Sequence, residues 1–280
     1  MNILVTGANG FIASNVIENL QSKFNVFKGT RKSINLYSSD DIERYIDDHK
    51  IDSIIHCAIE GGNRTEKDNV TSFYNNILIY ENLIKFSYRY KSFINIGSGA
   101  EFDRRYDIQN KKETDIFLEV PVDYYGLSKN IISKSMYNYK NCVNLRIFGC
   151  FYHNELDTRY IKNNIIRYIN NKPIIIHQDR YMDFVYFEDL YTVMEYYLCN
   201  IPTKSIDINV VYNQKYKLST IANIINNLDN HKVDINVEDK NLGLSYTGCG
   251  KSLSNLNLNL KGIETGIKRI YGRYKFNVLH

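Results

Sequence analysis

The 280-residue chain lacks the features that would commit it to a membrane, an oxidising compartment or a nucleic acid. No apolar run approaches the roughly 20 residues a bilayer-spanning helix needs, which argues against a membrane-embedded role. Its 35 basic and 31 acidic residues leave a net charge of only +4, with no basic stretch long enough to track a phosphate backbone, so nucleic acid is a poor partner. The five cysteines (Cys57, Cys142, Cys150, Cys199 and Cys249) are odd in number and never spaced Cys-x-x-Cys. That argues against a disulfide framework or a zinc site, and for a reducing, cytoplasmic setting in which they serve as small buried hydrophobes. Only three prolines occur, and there is no internal repeat or low-complexity linker; with 44% hydrophobic and 24% charged residues, one large domain or two intimately packed ones are expected.

The stretch on which the chain is organised opens it. Ile3, Leu4 and Val5 form a short apolar run that passes into a glycine-rich turn and then into an apolar-periodic segment, Phe11, Ile12, Val16, Ile17 and Leu20. This reads as buried strand, tight turn and helix, with no leader expected ahead of it. Gly7 would let the chain turn, Gly10 would let the backbone approach a pyrophosphate, and the small Ala13 would let helix and strand pack closely. The free N–H groups and positive dipole end of the helix would hold the anion. An ordinary two-glycine turn is the competing reading.

A second strand, Asn25 to Gly29, ends where the ribose of a dinucleotide lies. Thr30-Arg31-Lys32 follows, where an acidic residue would suit the 2′-hydroxyl of NAD. Arg31 could pair with a 2′-phosphate, which favours NADP; a solvated basic turn is the alternative. Asn35-Leu36 precedes a helix from about Ser39 to His49, with Ser38 or Ser39 as its cap and Asp40 and Asp41 as helix-start residues. A third strand, Ser53 to His56, opens into Cys57-Ala58-Ile59, a small-residue exit expected to line the cofactor. His56 reads as a core histidine. A helix from about Val70 to Tyr90 leads to a strand, Phe93 to Ile96, and then Gly97-Ser98-Gly99-Ala100, where Ser98 is either a hydroxyl facing substrate or a turn serine.

Tyr125 and Lys129 are four apart, on one face of a helix. A lysine cation near the phenol would draw its pKa down toward neutrality and make it a usable proton donor and acceptor. With 24 tyrosines and 35 basic residues that spacing arises by chance, as Tyr168/Lys172 and Tyr271/Lys275 show. Only Tyr125 lies in the nucleotide-binding half, downstream of Ser98.

Together these residues resemble the extended short-chain dehydrogenase/reductases, the NAD-dependent epimerase/dehydratase family that modifies nucleotide sugars. The likeness is carried by Thr6 to Ala13, His56-Cys57-Ala58, Asn76 with Leu83, Ser98, Tyr125 to Lys129, Leu145-Arg146 and Asp183 to Leu190, in the family's order over most of the chain. It implies an α/β fold with a doubly wound parallel (Rossmann) sheet over residues 1–150, and a smaller C-terminal α/β substrate lobe, mainly 151–280, interleaved with it around a shared cleft. It implies a catalytic set of Ser98, Tyr125 and Lys129. Cofactor contacts would come from Gly7, Asn9, Gly10, Phe11, Ile12, Arg31, Leu36, Cys57, Ala58, Ile59 and Asn76, with Tyr125 and Lys129, and substrate contacts from Ser98, Gly99, Tyr125 and Arg180. A homodimer paired through two helices of each subunit is the family default.

Departures from the family pattern refine this. Ala13 replaces a glycine. Gly99-Ala100 stands where dehydratases carry Asp-Glu, so 4,6-dehydration is not expected. Met182 replaces an arginine, although Arg180 is nearby, and Gly149 replaces an asparagine. In the second half, helices are expected near Thr158–Asn171, Glu188–Leu198, Ser219–Leu228 and Ile263–Tyr274, with strands at Ile174–His177 and Ile206–Val211. The expected activity is NADP(H)-dependent reduction of a nucleotide-activated keto sugar of the 4-keto-6-deoxy hexose type, in sugar-nucleotide biosynthesis. The alternatives are a nucleotide-sugar 4-epimerase with tightly bound NAD and a non-catalytic NADP-sensing protein.

Overall fold

The computed structural model describes residues 1–62 and 68–278. In chain order the elements are β1 (Asn2–Thr6), α1 (Phe11–Leu20), β2 (Asn25–Gly29), α2 (Ser39–Asp48), β3 (Ser53–His56), α3 (Val70–Ile84), β4 (Ser92–Ser98), β5 (Ile108–Lys111), α4 (Tyr124–Met136), β6 (Cys142–Ile147), β7 (Cys150–Phe151), α5 (Tyr160–Ile169), β8 (Ile174–Gln178), β9 (Val185–Tyr186), α6 (Phe187–Cys199), β10 (Ile206–Asn209), α7 (Leu218–Asn226), β11 (Ile235–Asp239), β12 (Tyr246–Gly248), α8 (Lys251–Ser254) and α9 (Gly262–Val278). Short 3-10 turns occupy Gly99–Glu101 and Glu113–Leu118. The chain divides into two compact units: residues 1–104, 112–146 and 193–209 form the first, and 105–111, 147–192 and 210–280 the second.

The first unit holds a six-stranded parallel sheet in the order β10-β6-β4-β3-β1-β2. β1 pairs with β2 on one side and β3 on the other, Leu4 lying opposite Phe27 and Ile54. A parallel strand covered on both faces must be apolar throughout, and Ile3, Leu4 and Val5 are accordingly fully buried. The strand order reverses between β1 and β3, so a crevice lies beyond their carboxyl ends, the usual ligand position in open α/β sheets. One core cluster packs Leu4, Ile54 and Phe93 of the sheet against Ile42, Ile46, Tyr80, Leu83, Ile132 and Met136 of α2, α3 and α4.

Local chemistry accounts for the helix ends. Ser38 caps α2 by accepting from the Asp41 amide, with Asp40 and Asp41 in the first turn at the positive dipole end. Asn69 caps α3 in a reciprocal box with Ser72. The expected extension of α3 to Tyr90 does not occur: it ends at Ile84. Beyond it the amides of Phe86, Ser87 and Arg89 bond three residues back, and this tightening turns Phe86 and Tyr90 inward, where they are 3% and 6% exposed. Burying those two rings outweighs continuing the helix.

The second unit is built on a core of Phe151, Ile165, Tyr168, Ile174, Ile221, Ile225, Ile267 and Ile270. β8 and β11 form a parallel pair, as do β5 with β12 and β7 with β9. Asp189, in the first turn of α6, accepts from the amides of Lys261 (2.8 Å) and Gly262 (2.9 Å) and so caps the start of α9. Among the described residues no helix is long and apolar enough to cross a membrane, and no group of three or more His, Cys, Asp or Glu could hold a metal ion.

Candidate active site

At the β1 exit Gly7 adopts φ +66°, a left-handed conformation that costs a residue with a Cβ. A Cβ there would lie 2.8 Å from the backbone N and Cα of Ala58, so the β3 exit is packed directly against the turn. Thr6 joins the two exits: its hydroxyl accepts from the amides of Cys57 (3.1 Å) and Ala58 (3.2 Å). Its lone pairs thus engaged, its proton goes to Nδ1 of His56 at 2.9 Å. Burial, and then the charge of Lys129, push His56 down to about 3. It is a neutral core histidine, as its apolar strand implies. Gly10 caps α1 without a side chain, and the first turn of α1 carries no acidic residue. Asn9 and Gly10 are exposed, Phe11 and Ile12 half-buried, and Ala13 fully buried. An uncapped helix start of this kind, with amides and positive dipole end toward solvent, fits a pyrophosphate.

Ser98 ends β4 and caps the following 3-10 turn, its hydroxyl accepting from the Ala100 amide. Tyr125 lies in the first turn of α4, which Asp123 caps by accepting from the Gly126 amide at 2.7 Å. A Cβ on Gly126 would meet the Ala100 carbonyl at 2.5 Å, so α4 sits tight on that turn. The Ser98 side chain is near enough to Tyr125 to favour its phenolate. The ring of Tyr125 lies under Gly62, whose Cβ position is 2.7 Å from it. Lys129, 4% exposed, donates to the Ile96 carbonyl at 2.6 Å.

The electrostatics differ from the expectation that Lys129 would depress the phenol. Burial raises Tyr125, opposed by the neighbouring Ser98 side chain, and the charges acting on it are those of Glu101, Arg104 and Asp68. Lys129 is itself pushed down to about 8 by burial, against the opposing charge of Glu101. Its ammonium is spent on a backbone carbonyl, so proximity along the helix does not become a charge contact with the phenol. Burial also pushes the Cys57 thiol up to about 12, which leaves it no nucleophile at neutral pH.

Beneath Ser98 lies a feature the sequence reading missed. Glu101, fully buried, accepts from the Ser98 amide at 2.8 Å and pairs with Arg146 Nε at 2.6 Å. Arg146 also holds Asp207 at 2.5 Å. Leu145-Arg146 was the one signal that could have located this cluster.

At the far end of the crevice, Arg31 is 89% exposed and its Nη2 stands 3.8 Å from Oε1 of Glu60. Leu36 packs half-buried against the core, and Asn82 donates to its carbonyl. Cys57, Ala58 and Ile59 are half-buried along the β3 exit. Asn76 spends its amide on the chain: it accepts from the Glu60 amide and donates to the Glu60 carbonyl, and also bonds Ser128 on α4. It fixes the loop that lines the crevice.

The sequence pattern described as the NAD dependent epimerase/dehydratase family matches residues 3–211. The chain belongs to this family. A GDP-L-colitose synthase of Yersinia pseudotuberculosis is 24% identical over 251 residues, 80% of this chain and 81% of that protein. A GDP-mannoheptose C4 reductase from Campylobacter jejuni with NADP bound superposes at a TM-score of 0.84 with 17% identity, covering 98% of each chain. The UDP-glucose 4-epimerase of Thermotoga maritima with UDP-glucose superposes at 0.78 with 18% identity, covering 99% of this chain and 100% of that one. Identities that low establish the fold, which reductases and epimerases share.

Two departures from the family pattern have physical explanations in the second unit. A Cβ at Gly149 would meet the Phe184 ring at 2.9 Å, which excludes a side chain in the position where asparagine is usual. Met182 packs half-buried on the core and its amide bonds the Tyr216 carbonyl. Arg180, two residues earlier, carries a buried Nε with no hydrogen-bond partner among the described residues. Asp183 is pushed up to about 6 by burial although Lys215 stands 2.7 Å away, and it also accepts from the Gly248 amide. It acts as a tie for the β12 segment.

Proposed function

We propose that this member of the family is an NADP(H)-dependent reductase of a nucleotide-activated keto sugar, of the 4-keto-6-deoxy hexose type. The observation that carries the reading is that Ser98, at the carboxyl end of β4, caps a turn on which α4 sits tight, the Gly126 Cβ position lying 2.5 Å from the Ala100 carbonyl, with Tyr125 in the first turn of α4 and Lys129 one turn further along. A reduced nicotinamide, when bound, supplies hydride to the carbonyl carbon. Tyr125 gives its phenolic proton to the carbonyl oxygen, and the Ser98 hydroxyl donates to that oxygen as charge develops on it. Lys129 would hold the nicotinamide ribose, and solvent reprotonates the phenolate left on Tyr125. Gly7, Asn9 and Gly10 cradle the pyrophosphate, with Phe11, Ile12, Cys57, Ala58 and Ile59 along the dinucleotide and Arg31 and Leu36 toward its adenosine.

Arg180, whose buried Nε has no hydrogen-bond partner among the described residues, is the candidate to meet a phosphate oxygen of the substrate. The relatives named for GDP-sugar chemistry make GDP-linked keto sugars the first compounds to try. We take the enzyme to be a cytoplasmic homodimer; exposed Val70 and Tyr74 on α3 and Tyr124 and Ile131 on α4 support the pairing. Incubating the pure protein with NADPH or NADH and a panel of nucleotide-linked 4-keto sugars tests the reading. If neither reduced cofactor is consumed with any of them, it fails. A 4-epimerase is the competing reading, favoured by the Glu60 carboxylate beside Arg31, and a chain purified with tightly held NAD would support it.

A further inference from the structure

We infer that Glu60 is a cofactor-selecting residue: its carboxylate, fixed beside Arg31 at the adenosine end of the crevice, disfavours a 2′-phosphate and lets NAD(H) compete with NADP(H). The inference rests on the dinucleotide-binding reading above and names a residue outside the β2 exit, where selectivity in such folds is ordinarily sought.

The geometry is that of a preorganised anion. The Glu60 backbone is clamped from both sides by Asn76, at 2.8 and 2.9 Å. One carboxylate oxygen accepts from the Tyr37 hydroxyl at 2.5 Å and the other from Asn75 Nδ2 at 2.8 Å. Burial alone would raise Glu60, yet these hydrogen bonds, with the charge of Arg31, hold it below the usual carboxylate range, so it is ionised at neutral pH. Tyr37 answers by rising to about 12, through burial and then through Glu60, and remains a donor. The neighbouring cation is held far less firmly. At 3.8 Å and 89% exposed, Arg31 is attracted to Glu60 without being hydrogen-bonded to it.

A 2′-phosphate seeking Arg31 must therefore draw the guanidinium from Glu60 and bring a second anion up to a carboxylate that cannot swing away. A ribose 2′-hydroxyl meets no such opposition and can donate to a carboxylate. Arg31 and Glu60 thus act in opposite senses on the same group.

The test is Glu60→Gln, which keeps the shape and an acceptor for Tyr37 while removing the charge. Native and variant chains are titrated with NADP+ and NAD+ by calorimetry at about 20 mM and about 0.5 M salt, where screening differs most. The expected result is NADP+ binding tightened about three- to tenfold at low salt, the size of one like-charge repulsion across a few ångström of wet protein surface. NAD+ binding stays the same or weakens, and the NADP+ gain shrinks at high salt. Since the Glu60 side chain is 25% exposed, the fold tolerates the change, and retained NAD+ binding verifies this within the experiment. An unchanged NADP+/NAD+ ratio, an equal shift for both nucleotides, or a gain indifferent to salt overturns the inference alone. A native chain that binds neither nucleotide overturns the proposed function with it.

Discussion

Replacing Arg146 by Met should cost the fold about 3–5 kcal/mol, the usual result of removing one member of a buried ion pair and leaving its charge uncompensated. The side chains of Arg146 and Glu101 are fully buried and that of Asp207 is 2% exposed, so water has no access with which to soften the loss. For a chain of this size that is a fall in Tm on the order of 10 °C. The loss must also depend on pH. Burial raises Asp207 from an ordinary 3.8 to about 6 even with Arg146 opposing it. Because its folded-state value lies above the unfolded one, its contribution to stability is full below about 4 and is lost as pH rises through about 6. Without Arg146 the carboxyl rises further, so the folded variant holds more protons than its unfolded chain over a wider range. The gap between native and variant chains should therefore be largest near pH 8 and smaller at pH 5. Urea unfolding followed by far-UV circular dichroism measures it, the chain having no Trp to report by fluorescence. A gap below about 1 kcal/mol, or one that is the same at both pH values, would show that these carboxylates are not held in a dry, uncompensated environment, and the reasoning would fail.

Three further outcomes are expected. Gly7→Ala places a Cβ 2.8 Å from the Ala58 backbone at φ +66°; the left-handed conformation alone costs about 1–2 kcal/mol. The distorted β1 and β3 exits should bind NADP+ at least about tenfold more weakly, about 1.4 kcal/mol, and unaltered affinity by calorimetry would remove the pyrophosphate from this loop. Tyr125→Phe should keep NADP+ affinity while turnover falls about 10²–10⁴-fold, the usual contribution of a positioned proton donor; turnover that survives points to another donor, and a cofactor response without any turnover in the native chain points to a sensor. Burial lowers Lys129 to about 8, so its cation is present below that pH and lost above it. kcat should accordingly fall as pH rises through about 8, and Lys129→Met should be slow with that limb gone; a native rate still rising at pH 9 refutes a working cation there.

What was legible in the sequence is what short-range chemistry decides. Ile3 to Ala13 spell strand, turn and helix because each residue's role depends on neighbours within a few positions, and the same holds for Ser38 and Asn69 as helix caps. β5 was not legible: Ile-Gln-Asn-Lys shows no alternation, and it is a strand because Tyr246 to Gly248 pair with it from far along the chain. Glu101 reads as one more turn carboxylate until Arg146 and Asp207 arrive from 45 residues and further along the chain. Glu60 likewise looks like an incidental acid in a small-residue exit, since nothing local reveals that Tyr37, Asn75 and Asn76 converge on it. Lys129 is the instructive intermediate case. Spacing correctly puts it one turn beyond Tyr125, but whether a cation acts on a phenol depends on where its ammonium is satisfied, and here that is the Ile96 carbonyl on the neighbouring strand. A shift of that ammonium from the carbonyl toward the phenol is what would turn a buried, raised tyrosine into a proton donor near neutral pH. The charge state of Lys129 and the working pKa of Tyr125 should therefore move together when the cofactor's ribose offers the ammonium an alternative partner. Titrating the Tyr125 phenolate by its ultraviolet absorbance, with and without NADP+ and against Tyr125→Phe as the blank, reads that coupling directly: a lower pKa with nucleotide bound is required, and an unchanged one would leave the lysine a structural residue.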